Sequence, residues 1–261
     1  MTNRRNVLQG VAAAWLAGGV VRRPGVRAEQ ATPGLPEQGL GEVVVRLHTS
    51  QTAEIVDSLV ERVIGEFAQR LAAVEGYVGY VAATIPDAPA QHVTISLFET
   101  AGAADASTTA AAAFHEGLPA EFDDVAMEAF PATMYIAERP DLTDGTPTPA
   151  GEALDLTGAY VTIRIHRGKP GKDQRELAPV IADAFRVVLA GVPGFRAYVW
   201  SAAREYRVSI NIFDTPEAAA EANERSKAYV NTSLADYTEG DSRVLIGHVA
   251  YADLPFLGIL A

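Results

Sequence analysis

Cysteine is absent from all 261 residues, which excludes disulfides, thiolate nucleophiles, iron–sulfur clusters and any zinc site that needs sulfur. Histidine is scarce as well, and five scattered imidazoles leave little material for an all-histidine metal cage, so no metal site is expected. Basic residues are few: 21 Lys and Arg stand against 33 Asp and Glu, a formal charge of −12 that opposes binding to phosphate backbones. Nucleic acid is therefore not expected as a partner. The chain carries no Gly-x-Ser-x-Gly elbow, no GxGxxG, no phosphate loop and no HExxH, so hydrolase, dinucleotide and metalloprotease chemistries lack their geometry. What remains, 48% hydrophobic and 21% charged residues, is the composition of a chain that buries a core.

Acid is missing from residues 1–28, which hold Arg4, Arg5, Arg22, Arg23 and Arg27 around an uncharged run from Asn6 to Val21. The apolar part, Val11 to Val21, falls short of the roughly 20 residues that span a bilayer and has the character of a signal-peptide core. Asn3-Arg4-Arg5-Asn6-Val7-Leu8-Gln9 resembles a twin-arginine signal, and Val26-Arg27-Ala28 offers small residues for cleavage before Glu29. The expectation is export by the twin-arginine translocase to a periplasmic or extracellular location, with no membrane anchor after cleavage. The mature chain would hold 16 basic and 33 acidic residues, a net charge of −17.

The rest of the sequence repeats itself. Val45-Arg46-Leu47-His48 matches Ile163-Arg164-Ile165-His166, and Gly76-Tyr77-Val78-Gly79-Tyr80-Val81 matches Gly194-Phe195-Arg196-Ala197-Tyr198-Val199. Val93 to Thr100 matches Val208 to Thr215 in the same order, which indicates duplication. The expected organisation is a signal at 1–28, a linker at 29–41, one domain at 42–139, a Pro-rich acidic linker at 140–157, a second domain at 158–254 and an apolar tail at 255–261.

Within each copy the apolar period switches between two and about 3.6. In the first copy, Val43 to His48 alternates as a strand, and Ile55, Leu59, Val63, Phe67 and Leu71 form a helical stripe ending near Gly76. Strands at 77–84 and 93–98, a helix from Thr100 and a strand at 133–138 complete it. The second copy reads as strand 159–166, helix 173–190, strands 195–201 and 206–213, helix 216–232 and strand 244–251. Thr215-Pro216-Glu217 is a helix start with a capping hydroxyl, a tolerated proline and an acid suited to the dipole. The expected fold class is α+β, two ferredoxin-like βαββαβ domains.

The first strand, the Gly-aromatic openings Gly76-Tyr77 and Gly194-Phe195, and the passages Phe98-Glu99-Thr100 and Phe213-Asp214-Thr215 resemble the antibiotic-biosynthesis-monooxygenase-like family of dimeric α+β barrel proteins. The resemblance covers nearly all of 42–254. It implies two domains packed sheet to sheet, normally across a homodimer, and here within a monomer as an intrachain pseudo-dimer.

Strand alternation, with the β-branched face assigned to the helices, sends Arg46, His48, Tyr80, Thr94, Ser96 and Phe98 into the barrel lumen from the first copy. From the second come Arg164, His166, Tyr198, Trp200, Ser209, Asn211 and Phe213. A lumen of aromatics with a few polar groups suits a planar organic ligand. Asn211, His166 and Arg164 are the candidate catalytic residues, with Trp200, Tyr198, Phe213, Arg46, His48 and Tyr80 as candidate ligand contacts. Each also has a plainer role: strand-end histidines near solvent, arginines neutralising acids between sheets, aromatics packing. Where the second copy has Trp200 and Asn211 the first has Ala82 and Ser96, so a site biased to the second half is expected.

The family includes cofactor-independent oxygenases of polycyclic phenols and haem-degrading oxygenases. His115 is the one histidine placed as the haem degraders' ligand is, Tyr229 takes that place in the second copy, and Asn211 and Trp200 do not match the haem motif, so no cofactor is expected and haem is disfavoured. The glycine-rich acid motif of dye-decolourising peroxidases, which also pair ferredoxin-like domains, is absent. Two function classes follow: a cofactor-independent oxygenase of an aromatic or phenolic small molecule, and a non-catalytic exported ligand-binding or stress-related barrel.

Overall fold

The computed structural model describes residues 39–138, 156–189 and 191–254. The expected leader at 1–28, most of both linkers and the tail at 255–261 lie outside them. The first half runs β1 (Gly41–Thr49), α1 (Ala53–Arg62), a π-helical turn (Val63–Phe67), α2 (Ala68–Ala72), β2 (Tyr77–Thr84), β3 (Gln91–Phe98), α3 (Ala101–Glu116) and β4 (Ala126–Glu138). The second runs β5 (Tyr160–Gly168), a short 3-10 turn (Gln174–Leu177), α4 (Ala178–Val188), β6 (Phe195–Ala202), β7 (Tyr206–Phe213), α5 (Pro216–Ser233) and β8 (Thr238–Asp253).

The repeated motifs have local causes. Gly76 and Gly194 take φ of +82° and +73°, where a side chain is strained, as the chain leaves a helix for a strand. Their carbonyls accept from Glu99 N–H and Asp214 N–H, each at 2.8 Å, so the same turn is locked in both halves. Thr100 and Thr215 then cap α3 and α5, accepting from Ala103 N–H and Ala218 N–H at 3.2 Å.

Eight antiparallel strands close into one barrel in the order β1-β3-β2-β8-β5-β7-β6-β4. Two long strands join the halves. Residues 126–134 of β4 pair with β1 and 133–138 with β6; residues 238–248 of β8 pair with β5 and 248–253 with β2. Both strands start earlier than the apolar pattern predicts. Ala126 to Ala129 and Glu239 to Asp241 are exposed, so no burial constraint writes alternation into them.

The predicted facing of the strands is reversed. Val43, Val45, Leu47, Val81, Val93, Ile95 and Leu97 meet Val161, Ile163, Ile165, Val199, Val208, Ile210 and Ile212 in a single core that fills the lumen. A cavity of about 10 Å³ is left there, bordered by Val81, Ile95, Leu97 and their counterparts. Both faces of these strands are buried, so alternation separates two faces without saying which lies inside. The lumen, lined by buried side chains, takes compact aliphatics, each contributing about 1.5–3 kcal/mol on burial. Polar and aromatic side chains instead face the helices, where helix side chains can satisfy them.

Candidate functional site

On the helix-facing side of the second half, Arg164 and His166 from β5, Tyr198 and Trp200 from β6, and Arg207, Ser209 and Asn211 from β7 meet Ile181, Phe185 and Leu189 near α4 and Tyr229 and Val230 on α5 around an inner cavity of about 50 Å³. The β5–β7 register is unbroken from Tyr160 to Arg167, so no bulge turns Asn211 away. Arg164, His166 and Val230 also border an outer cavity of about 470 Å³, whose wall includes Asn223, Lys227, Asn231, Asp241 and Ser242. The two cavities are therefore neighbours that share Arg164, His166 and Val230 as wall residues, the smaller one lined by apolar side chains together with these polar groups.

The polar groups here are buried to an unusual degree: Arg164 is 3% exposed, Arg207 1% and Asn211 0%. Arg164 Nε donates to Asn223 Oδ1 at 3.1 Å, but its Nη2 is buried without a partner, as are both amide atoms of Asn211. Arg207 donates to Gln174 Oε1 and, at 2.7 Å, to Thr238 Oγ1, while Gln174 passes its own N–H to the Tyr237 carbonyl. Among the described residues, no ion pair joins Arg164 or Arg207 to a carboxylate. Burial lowers both guanidinium pKa values to about 10, so both remain charged at neutral pH. His166 Nδ1 lies 2.6 Å from Ser242 Oγ, and burial, then Arg207 and Arg164, pushes its pKa down to about 3. The imidazole is neutral, and burial raises the Tyr198 hydroxyl so that it stays protonated.

The first half differs at the equivalent positions. Arg46 donates to Ser96 Oγ at 3.1 Å and Ser107 Oγ at 2.9 Å, with Thr108 Oγ1 at 3.4 Å, leaving Nε alone unpartnered. The alanine-rich α3 therefore supplies hydroxyls as well as close packing. His48 stacks on His92 with ring centroids 4.2 Å apart, and its Nδ1 faces His115 Nε2 at 3.5 Å. Tyr80 packs edge-on against Phe67, which in turn meets Phe114.

Five of the nine candidate residues, Arg164, His166, Tyr198, Trp200 and Asn211, border the inner cavity. Phe213 is fully buried against Phe195 behind it, and Arg46, His48 and Tyr80 lie under the first half's helices, so none of the four borders either second-half cavity. The pocket is not in the lumen; the parity assignment misplaced it. Arg207, Gln174, Asn223 and Ser242 are absent from the sequence-based candidates, and Tyr229 figures there only as the counterpart of His115. Arg207 could have been found, because it precedes Ser209 and Asn211 in steps of two on one face and aligns with His92 in the repeat. The helix and β8 contributors carry no local signal.

Among the described residues, no group of three or more His, Cys, Asp or Glu is arranged to hold a metal, and no helix is long and apolar enough to cross a membrane. The inner cavity, about 50 Å³, is far smaller than a porphyrin plate, so haem does not fit within it.

No protein-family model matches the sequence, and none of the curated proteins does. Solved structures do share the fold. An anthrone oxidase-like protein superposes with a TM-score of 0.58 at 17% identity, covering 83% of this chain and 94% of that one. A candidate monooxygenase from Lactobacillus acidophilus gives 0.58 at 11% identity over 82% and 97%. A heme-binding protein from Thermus thermophilus gives 0.50 at 12% identity over 81% and 91%. The chain is an α+β barrel of eight strands like these, and at such identities the likeness extends to the fold alone.

Proposed function

We propose that this chain is an exported enzyme of the monooxygenase type, acting on a phenolic small molecule that enters the second half beneath α4 and α5. The observation that carries the reading is the convergence of buried Arg164, His166, Trp200 and Asn211 on one chamber, which shares Arg164 and His166 with a larger outer cavity. Fold neighbours named for oxidation of organic molecules are consistent with it. In this reading dioxygen is the oxidant and the phenol itself the reductant: a ring C–H and the phenolic O–H are broken, one oxygen atom becomes a new ring carbonyl and the other leaves as water with both hydrogens, giving a quinone. The protein orients the ring and stabilises charge that develops on it. His166, held by Ser242, accepts the phenolic proton as negative charge appears beside the two guanidiniums. The signal sequence adds export by the twin-arginine route, and the closed barrel suits a monomer.

Oxygen consumption with an electron-rich phenol, measured on protein treated with chelator and freed of flavin, tests this. It should fall at least about tenfold in Asn211→Ala or His166→Ala, the loss expected when a positioned polar group leaves a transition state. Ser96→Ala and His48→Ala in the other half should change it little. One observation favours ligand binding without chemistry: an imidazole with a pKa of about 3 is a weak proton acceptor. Saturable binding with no turnover of any phenol would establish that alternative.

A further inference from the structure

The duplication provides an internal control on what the second-half pocket lacks. At one position of the repeat, Arg46 has its terminal nitrogens bonded to Ser96 and Ser107, and Ser96 serves as its acceptor. At the matching position, Arg164 has Nη2 buried and unpartnered, and Asn211, which replaces Ser96, has both amide atoms buried and unpartnered. Arg207 adds a second buried charge whose bonds go to neutral oxygens. A buried donor or charge left this way costs free energy that a bound group can recover.

From this geometry we infer that the ligand is an organic acid whose carboxylate enters the inner chamber and accepts from Arg164 Nη2 and Asn211 Nδ2, with its body in the outer cavity. The assignment deepens the reading above and rests on its pocket. Size and charge both select a carboxylate head. About 50 Å³ admits a group of a few atoms and not a whole ring, whereas the neighbouring cavity of about 470 Å³, which shares Arg164 and His166, accommodates an organic body. Two permanent cations are compensated only by a group already ionised at neutral pH. A carboxylic acid is, while a phenol with an ordinary pKa of about 10 must first lose its proton. The outer wall, with Asn223, Lys227, Asn231, Asp241 and Ser242, suits a body carrying hydroxyls. A bound carboxylate would also offset the two guanidiniums that help suppress protonation of His166, making that imidazole a better proton acceptor once the acid is in place.

The test is calorimetric titration of the full chain at pH 7 with 6-hydroxy-2-naphthoate and with its neutral amide, which has nearly the same shape. The acid should bind at least about tenfold more tightly, as a charge-assisted contact in a buried site requires. Arg164→Gln should remove the preference. Asn211→Asp, nearly isosteric and placing a carboxylate beside Arg164, should remove it too while the protein stays folded; Arg46→Gln should leave it intact. Equal affinity for acid and amide would overturn the inference and leave the pocket standing. An acid preference unchanged in both second-half variants would overturn the inference by placing the acid elsewhere. Binding of neither probe would overturn the inference and the pocket reading together.

Discussion

His92 offers a perturbation whose effect can be worked out before the experiment. The ring is fully buried on β3, stacked on His48 with His115 beyond, and neither of its nitrogens has a partner. Burial, then the neighbouring His115, lowers its pKa to about 3 from an ordinary 6.5. Because the folded value is depressed, the unfolded chain takes up the proton first as the pH falls; stability is complete above about 6.5 and drains away toward 3. Between pH 7 and pH 4 this one group should cost about 3 kcal/mol. Replacing it, His92→Leu, removes both the titration and two unsatisfied nitrogens. Urea unfolding of wild type and variant at pH 7 and pH 4 reads the difference, since carboxylate titrations are common to both proteins and cancel. The advantage of the variant should grow by about 3 kcal/mol on acidification. Growth of less than about 1 kcal/mol would show that the buried imidazole is not held neutral by the fold, and the reasoning would fail.

Other outcomes follow from the packing. Gly194→Ala, at φ +73° with its new Cβ 3.2 Å from the Asp214 side chain, should destabilise by about 1 kcal/mol or more in thermal unfolding. Gly65→Ala, in the π-helical turn where an added Cβ meets nothing within 4 Å, should stabilise by up to about 1 kcal/mol by the same assay. Thr215→Ala should cost about 1 kcal/mol through loss of the α5 cap. Ile210→Ala, in the lumen core, should cost about 2–5 kcal/mol without weakening ligand binding. Lysine at both Arg4 and Arg5 should block export and leave the folded barrel unchanged, as cell fractionation would show.

Much of the fold was written in local chemistry. Thr100, Thr215, Gly76 and Gly194 mark turns and caps whose geometry allows few other residues, and the switch of apolar period separates strands from helices. Sidedness was not legible, because Val45 and Arg46 are both buried and alternation carries no label for inside. Nor was the reach of β4 and β8, whose early residues satisfy the ladder on an exposed surface. The site was partly legible. Trp200 and Asn211 stand out by breaking the symmetry of the repeat and Tyr229 as the counterpart of His115, while Asn223 and Ser242 join the site from α5 and β8 through tertiary packing alone.

The central claim, that the binding chamber lies beneath the second-half helices and not in the lumen, can be tested directly because the chain has no cysteine of its own. Single substitutions Ser226→Cys, in the wall of the inner chamber, and Val199→Cys, in the lumen, can each be treated with a small thiol reagent with and without 6-hydroxy-2-naphthoate. The account predicts that the thiol at 226 reacts and is protected by the acid, while the thiol at 199 stays inert. A lumen thiol that reacts and is shielded by the ligand, with position 226 indifferent to it, would contradict the account.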